Sequence, residues 1–180
     1  MKRDPFAAEL LAWFVGRLPE GWFVESPEIT YDRDEILVIG RLPEPALPEG
    51  ASEEERHAAC VARIQRFREE TRGQRMRIAS EAEYRFGRKV SWGARCGPVQ
   101  QLFTVLSVPV MTRLRLAERQ VLDTLVEAGV ARSRSEALAW CVRLVGRHEA
   151  DWLEELRQAL IRVQELRQSG PGAESTKREL

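Results

Sequence analysis

Residues 126–138 read VEAGVARSRSEAL, and this stretch carries the signals of one helix end followed by one helix start. Gly129 follows an apolar stripe of helical spacing, at the place where a residue in the left-handed backbone conformation commonly closes a helix. Ser133 and Glu136 then have the spacing of a capping box, which opens a second helix. The stretch therefore predicts two short amphipathic helices joined by a tight turn.

An extended segment precedes this helix pair. Over residues 108–116 apolar side chains alternate with Met111, Arg113 and Arg115, which is the period of a β-strand with two unlike faces. The order of short strand, helix, Gly-containing turn, Arg-Ser-Arg-Ser-Glu-Ala-Leu and helix resembles the ribbon-helix-helix family of bacterial repressors and antitoxins, and the resemblance covers residues 108–148. It implies a homodimer in which two chains pair their strands into an antiparallel ribbon that enters the major groove of DNA.

The resemblance also implies which residues contact DNA. A two-stranded ribbon fits a major groove, and its outward side chains reach the base edges. On that outward face, Met111 suits a thymine methyl group, while the guanidinium groups of Arg113 and Arg115 match the acceptors of guanine. The start of the second helix forms an anion site for a DNA phosphate. The residues at that site are Arg132, Ser133, Arg134 and Ser135.

The sequence leaves a second interpretation open for this segment. Another strand candidate precedes it and it contains Pro109, so residues 110–115 have the alternative of pairing within their own chain. Arg115 and Leu116 also stand where the family usually has a proline or another helix-opening residue. On this interpretation the segment is a non-enzymatic module for dimerisation or protein interaction that does not bind DNA.

The first 107 residues predict an α+β domain of the order α-β-β-α-β-β, with an antiparallel sheet and helices on one face. Apolar residues at helical spacing predict a first helix over residues 4–18, and residues 22–42 have the pattern of a β-hairpin. Two further strand candidates follow, at residues 89–96 and 102–107. The sequence indicates no particular fold, small-molecule ligand or role for this domain.

Helices connect and follow these strands. Ser52 and Glu55 form a capping box that opens a long helix toward Phe86, and Gly73 marks a place where this helix is expected to be interrupted or bent. At the other end of the chain, residues 149–168 predict an amphipathic helix whose leucine face packs in a core or docks on a partner. The Gly, Pro, Ser, Lys and Glu content of residues 169–180 predicts a disordered tail.

The net charge is zero, but it is distributed unevenly along the 180 residues. Residues 1–60 hold six basic and 13 acidic side chains, whereas residues 61–100 hold ten basic and four acidic ones. Such a basic block faces either a polyanion or the acidic part of its own chain, residues 1–60, called the acidic front below. A third interpretation is therefore an RNA- or ribosome-associated protein that uses residues 63–95. In that block arginines are interleaved with aromatic residues: Arg63, Arg66, Arg75, Arg77, Arg85, Arg88 and Arg95 with Phe67, Tyr84, Phe86 and Trp92.

Other functional classes find little support in the sequence. No apolar run approaches the ~20 residues that cross a bilayer, and the amino terminus lacks the pattern of a signal peptide, so we expect a cytoplasmic protein without a membrane partner. The cysteines, Cys60, Cys96 and Cys141, predict small buried thiols and no metal site. The acidic group around Asp32 suits a hairpin turn. No phosphate-binding glycine loop or nucleophile elbow is present, so we expect neither an enzyme nor a cofactor.

Overall fold

The computed structural model of the protein describes residues 5–169 and divides the chain into two compact units, Met1–Val110 and Met111–Leu180. The division falls three residues beyond the boundary predicted from the sequence at residue 107. Over the described residues the chain forms six helices and one four-stranded sheet. The predicted α+β class is therefore confirmed.

The first unit contains the whole sheet and three helices. In chain order its elements are α1 (Pro5–Arg17), β1 (Glu28–Tyr31), β2 (Glu35–Arg41), α2 (Glu53–Glu70), α3 (Arg72–Phe86), β3 (Lys89–Cys96) and β4 (Val99–Leu102). The second unit contains three helices, namely α4 (Leu116–Glu127), α5 (Arg134–His148) and α6 (Ala150–Ser169).

The sheet has the strand order β1-β2-β3-β4, and its central pair corrects the prediction of an antiparallel sheet. The outer pairs, β1 with β2 and β3 with β4, are antiparallel, but β2 and β3 run parallel, with Glu35 opposite Lys89 and Arg41 opposite Arg95. Parallel strands need a long crossover connection, and here α2 and α3 supply it. The predicted strand segments at residues 22–25 and 103–107 are not strands in the structure.

The long helix predicted over residues 52–86 is two helices that meet at Thr71. Its backbone has φ −97° and ψ 0°, outside the helical region, and its hydroxyl donates a 2.5 Å hydrogen bond to the Phe67 carbonyl. This local bond competes with the regular helix ladder. Gly73, the residue that the sequence singled out for an interruption, lies inside α3. The predicted capping box is confirmed, since Ser52 Oγ accepts from the Glu55 amide and the Glu55 carboxylate accepts from the Ser52 amide.

The core of the first unit lies where the helices cover the sheet. Leu10 and Phe14 of α1 are fully buried, as are Ile36 and Val38 of β2 and Ile64 of α2. Aromatic rings pack edge to face around them, including Phe14 against Trp92 at 6.1 Å between ring centroids. The apolar residues that the sequence placed on helix faces and on alternate strand positions therefore form one core.

The second unit has a much smaller core. Leu122, Ala131 and Ala137 are its buried residues among those described. The leucine face predicted for the last helix is largely exposed on α6, including Leu156, Leu160 and Val163, so this face does not contribute to the buried core of the second unit. The tail predicted to be disordered lies, from residue 170 onward, outside the described residues. Within residues 5–169, no helix combines the length and apolar character that a membrane span requires.

Candidate nucleic-acid interface

Residues 104–115, which connect β4 to α4, belong to no helix or strand. Within the described chain they make no sheet pairing, so the alternative in which residues 110–115 pair inside their own chain is not observed. Leu114 is half-buried and packs against the cluster around Leu122, while its backbone carbonyl accepts a 2.6 Å bond from Arg119 Nη1. This contact holds the end of the segment against α4.

The side chains predicted to reach DNA bases lie on the surface of this segment. Met111 is 96% exposed, and Arg113 and Arg115 are exposed as well. Among residues 5–169, neither arginine has a carboxylate partner for its guanidinium group. The Arg115 amide donates to the Glu118 carboxylate at 2.5 Å, which opens α4 without a proline. Two arginines that have no ion-pair partner among the described residues are thus exposed, two positions apart, on a segment without regular secondary structure.

The turn between α4 and α5 has the geometry that the sequence predicted. Gly129 has φ +73°, and the amides of Gly129 and Val130 donate to the carbonyls of Val126 and Leu125, each at 3.0 Å. These bonds satisfy the last carbonyl groups of α4. The predicted left-handed glycine is confirmed.

The start of α5 also follows the prediction, with one difference. Ser133 is the N-cap, and its Oγ accepts from the Glu136 amide at 3.2 Å. The Glu136 carboxylate accepts a 2.9 Å bond from the Arg132 amide, one residue before the position that a capping box would use. The Arg134 and Ser135 amides have no acceptor within the described chain. Such unpaired amides in the first turn of a helix are the donors that an anion site uses.

Both arginines at this helix start have carboxylate neighbours. Arg134 makes a bidentate pair with Asp123 of α4, with Nε and Nη2 at 2.6 and 2.7 Å from the two carboxylate oxygens. These hydrogen bonds lower the pKa of Asp123 and raise that of Arg134. Arg132 Nε lies 3.2 Å from Glu136, whose pKa is lowered first by the backbone amide of Arg132 and then by its side chain. The predicted phosphate contacts are therefore partly neutralised, and sequence spacing gave no signal for Asp123, eleven residues away.

Large apolar side chains of the second unit are exposed in the described part of the chain. They occur on the segment before α4 and on all three helices, and the more exposed of them include Met111, Leu116, Val121, Val142, Trp152 and Leu160. Scattered apolar residues are ordinary on a protein surface, but here they outnumber the buried ones. The second unit therefore combines a small core with many exposed apolar side chains.

The basic block of the first unit is largely used within the unit. Arg75 is 6% exposed, with Nε donating to Thr71 Oγ1 at 3.0 Å, Nη2 donating to the Arg68 carbonyl at 2.6 Å and its guanidinium 4.7 Å from the centre of the Phe103 ring. Burial, followed by the charges of Arg68 and Arg72, lowers its pKa to about 10. This arginine stabilises the junction of α2 and α3 and is not presented to a ligand.

Other members of the block pair with the acidic front of the chain. Arg85 lies 2.9 Å from Glu9, and Arg95 lies 3.4 Å from Glu28. The aromatic residues predicted to stack on RNA bases are mostly internal, because Phe67 and Trp92 are buried and Phe86 packs against the core. Tyr84, at 95% exposure, is the exception.

The acidic group forms the predicted hairpin turn. Asp32 Oδ1 accepts from the amides of Asp34 and Glu35, each at 2.8 Å, and these bonds lower the pKa of Asp32. No cluster of three or more metal-ligating side chains occurs in the part of the chain that the structure describes. Cys60 and Cys96 are buried, as predicted, but the structure also brings their sulfur atoms within 3.0 Å, which a separation of 36 residues could not indicate.

Comparison with known proteins assigns both units to a family. Residues 8–102 match the family described as Rv1265-like protein, N-terminal domain, and residues 115–167 match the Mb1296 C-terminal domain. The chain is 56% identical over 169 residues to the uncharacterized proteins Mb1296 of Mycobacterium bovis and Rv1265 of Mycobacterium tuberculosis, covering 94% of this chain and 73% of each relative. Neither family description mentions a ribbon-helix-helix domain, so that resemblance stays a prediction. No solved structure matches the chain. On the matches to both of its units, the chain belongs to the Rv1265-like protein family.

Proposed function

We propose that two copies of the chain form a cytoplasmic DNA-binding protein, a transcriptional regulator, in which residues 110–115 of both copies pair into a β-ribbon. The observation that carries this proposal is the exposed segment 110–115, which pairs with no strand among the described residues and in which Arg113 and Arg115 have no carboxylate partner there. It directly precedes the pair α4 and α5, and the start of α5 presents two amides without acceptors in the described chain. A ribbon between two copies would satisfy the unpaired backbone and would place the arginines at base edges.

The incomplete core supports the dimer on separate grounds. Among its described residues the second unit buries three, which is little apolar burial, whereas obligate dimers bury a surface that resembles a core cut in half. A second copy supplies the same apolar side chains across a two-fold axis. Dimerisation and DNA binding therefore depend on the same segment.

Selection from genomic DNA tests the proposal. Full-length protein is mixed with sheared genomic fragments, the bound fragments are sequenced, and the affinity for an enriched fragment is measured at several salt concentrations. We expect a discrete set of enriched fragments and a logarithm of the binding constant that falls linearly with the logarithm of salt concentration. If no fragment is enriched over input, the proposal fails.

One observation favours a second candidate, a dimerisation module that does not bind DNA. The Asp123–Arg134 pair places a carboxylate next to the predicted phosphate site, and Glu136 does the same for Arg132. Carboxylates beside a phosphate site weaken its attraction for the anion. Sedimentation analysis separates the two candidates, because a dimer that enriches no DNA supports the module.

A further inference from the structure

Two thiols in the first unit lie closer together than unbonded sulfur atoms usually do. Cys60 belongs to α2 and Cys96 ends β3, and both side chains are buried. Their Sγ atoms are 3.0 Å apart. A disulfide bond has a length of about 2.05 Å, so the sulfur atoms need to approach by only ~1 Å to bond.

The two thiols differ in their access to the protein surface. Cys60 lines a cavity of ≈ 230 Å³ together with Glu44 and Arg56, and Cys96 does not contribute to that lining. The Cys96 thiol donates a hydrogen bond to Cys60 Sγ. Burial first, and then this bond, raise the pKa of Cys96 to about 12, so Cys96 keeps its proton. Cys60 is therefore the sulfur that a small oxidant entering the cavity meets first.

We propose that Cys60 and Cys96 are a redox modification site that hydrogen peroxide converts into an intramolecular disulfide. In the first step Cys60 sulfur attacks one peroxide oxygen, the O–O bond breaks, and the departing hydroxide takes up the proton of the Cys60 thiol to become water. Cys60 is then a sulfenic acid. In the second step Cys96 sulfur attacks Cys60 sulfur, the S–O bond breaks, and the hydroxide leaves as water with the proton of Cys96. Two thiols and one peroxide thus give one disulfide and two water molecules.

The disulfide would link a crossover helix to a central strand of the sheet. Cys60 and Cys96 are separated by 36 residues, so the bond closes a long loop and restricts the unfolded chain more than the folded one. Since the thiols already touch in the folded unit, oxidation requires little rearrangement. The third thiol, Cys141, belongs to the second unit and serves as an internal control.

Mass spectrometry of the full-length protein tests the proposal. The folded protein is treated with hydrogen peroxide and quenched, its remaining thiols are alkylated in denaturant, and it is digested without reductant. We expect a cross-linked peptide containing Cys60 and Cys96, with a mass lower by two hydrogen atoms than the two separate peptides. We also expect a higher thermal unfolding temperature that dithiothreitol returns to its starting value.

Matched variants identify the two bonded cysteines and show which of them is oxidised first. Cys141→Ser should form the cross-link and show the shift in unfolding temperature as the wild type does, whereas Cys60→Ser and Cys96→Ser should show neither. In Cys96→Ser, whose folding is checked by circular dichroism, a sulfenic acid probe should label Cys60. The proposal is overturned if wild-type Cys60 and Cys96 are both recovered alkylated after Cys141 has been oxidised. It is equally overturned if Cys60 proceeds to a sulfinic acid while Cys96 stays free.

Discussion

Replacing Arg113 and Arg115 together by alanine should abolish the sequence preference of DNA binding while leaving the fold intact. Both guanidinium groups are exposed and have no carboxylate partner within residues 5–169. Their removal therefore breaks no ion pair of the folded chain, and we expect an unchanged thermal unfolding temperature. Any loss of binding then reports contacts with DNA.

The size of the effect follows from the proposed two-fold symmetry. One bidentate arginine–guanine contact discriminates against the wrong base by about 1–3 kcal/mol. A dimer makes each contact twice, so losing either arginine alone costs about 2–6 kcal/mol, which is about 30-fold to about 10⁴-fold in Kd. Losing both should bring the affinity for an enriched fragment down to that for a scrambled duplex.

Fluorescence anisotropy with an enriched duplex and a scrambled duplex measures this difference. Arg147→Ala is the matched control, because Arg147 is an exposed residue in the last turn of α5. Its replacement removes one positive charge, as each of the two tested substitutions does. We expect the control to keep the ratio of the two affinities. If the double variant discriminates between the duplexes as well as the wild type does, these arginines do not read bases.

Three further predictions concern the electrostatics and the packing of the two units. Asp123→Asn frees Arg134 for phosphate, so the salt dependence of DNA binding should steepen by a slope of about 0.9 for each added contact, as measured by titration at several salt concentrations. Gly40→Ala should lower the free energy of unfolding by about 1–3 kcal/mol in a urea titration, because a Cβ atom there would lie 2.0 Å from the Phe23 ring. The pKa of Asp32 is lowered by two backbone amides of its turn, so its contribution to stability is present above about pH 4 and is lost as the pH falls further. Asp32→Ala should therefore reduce the loss of stability seen in acid denaturation.

Each of these predictions has a matched comparison. Glu127→Gln removes an equal charge from α4 and should change the salt slope less than Asp123→Asn does. Gly16→Ala adds a methyl group where nothing lies within 4 Å, so it should not destabilise the protein. Ser26→Ala changes an exposed residue whose side chain does not titrate in acid, so it should leave the acid denaturation profile as it is in the wild type. Equal behaviour of a variant and its comparison would contradict the corresponding reasoning.

Local signals in the sequence predicted much of the secondary structure. The Ser52–Glu55 capping box marked the start of α2, Gly129 marked the end of α4, and Ser133 marked the start of α5. These features depend on residues within one or two helical turns of each other, so spacing along the chain is sufficient to find them. Alternation over residues 89–96 predicted β3 for the same reason.

The features that sequence reasoning missed depend on contacts between distant residues. The parallel pairing of β2 with β3 follows from how two helices cross the sheet, and alternation is the same in parallel and antiparallel strands. The helix break at Thr71 depends on the hydrogen bond from its hydroxyl group to the Phe67 carbonyl. The same hydroxyl group accepts a hydrogen bond from Arg75 Nε. A surface arginine and a buried one look alike in composition, so the charge distribution overstated the basic surface available to nucleic acid.

The pairing of residues 110–115 between two copies is the central claim, and a cysteine cross-linking scan over residues 111–115 tests it most directly. Single cysteines are introduced at each of these positions in the Cys141→Ser background, and each variant is oxidised mildly. In an antiparallel ribbon about a two-fold axis, one position lies opposite itself with Cβ atoms about 4.5–5.5 Å apart. We expect covalent dimers to be most abundant at one position and to decline on either side. Absence of covalent dimer at all five positions, or equal amounts at all of them, would contradict the account.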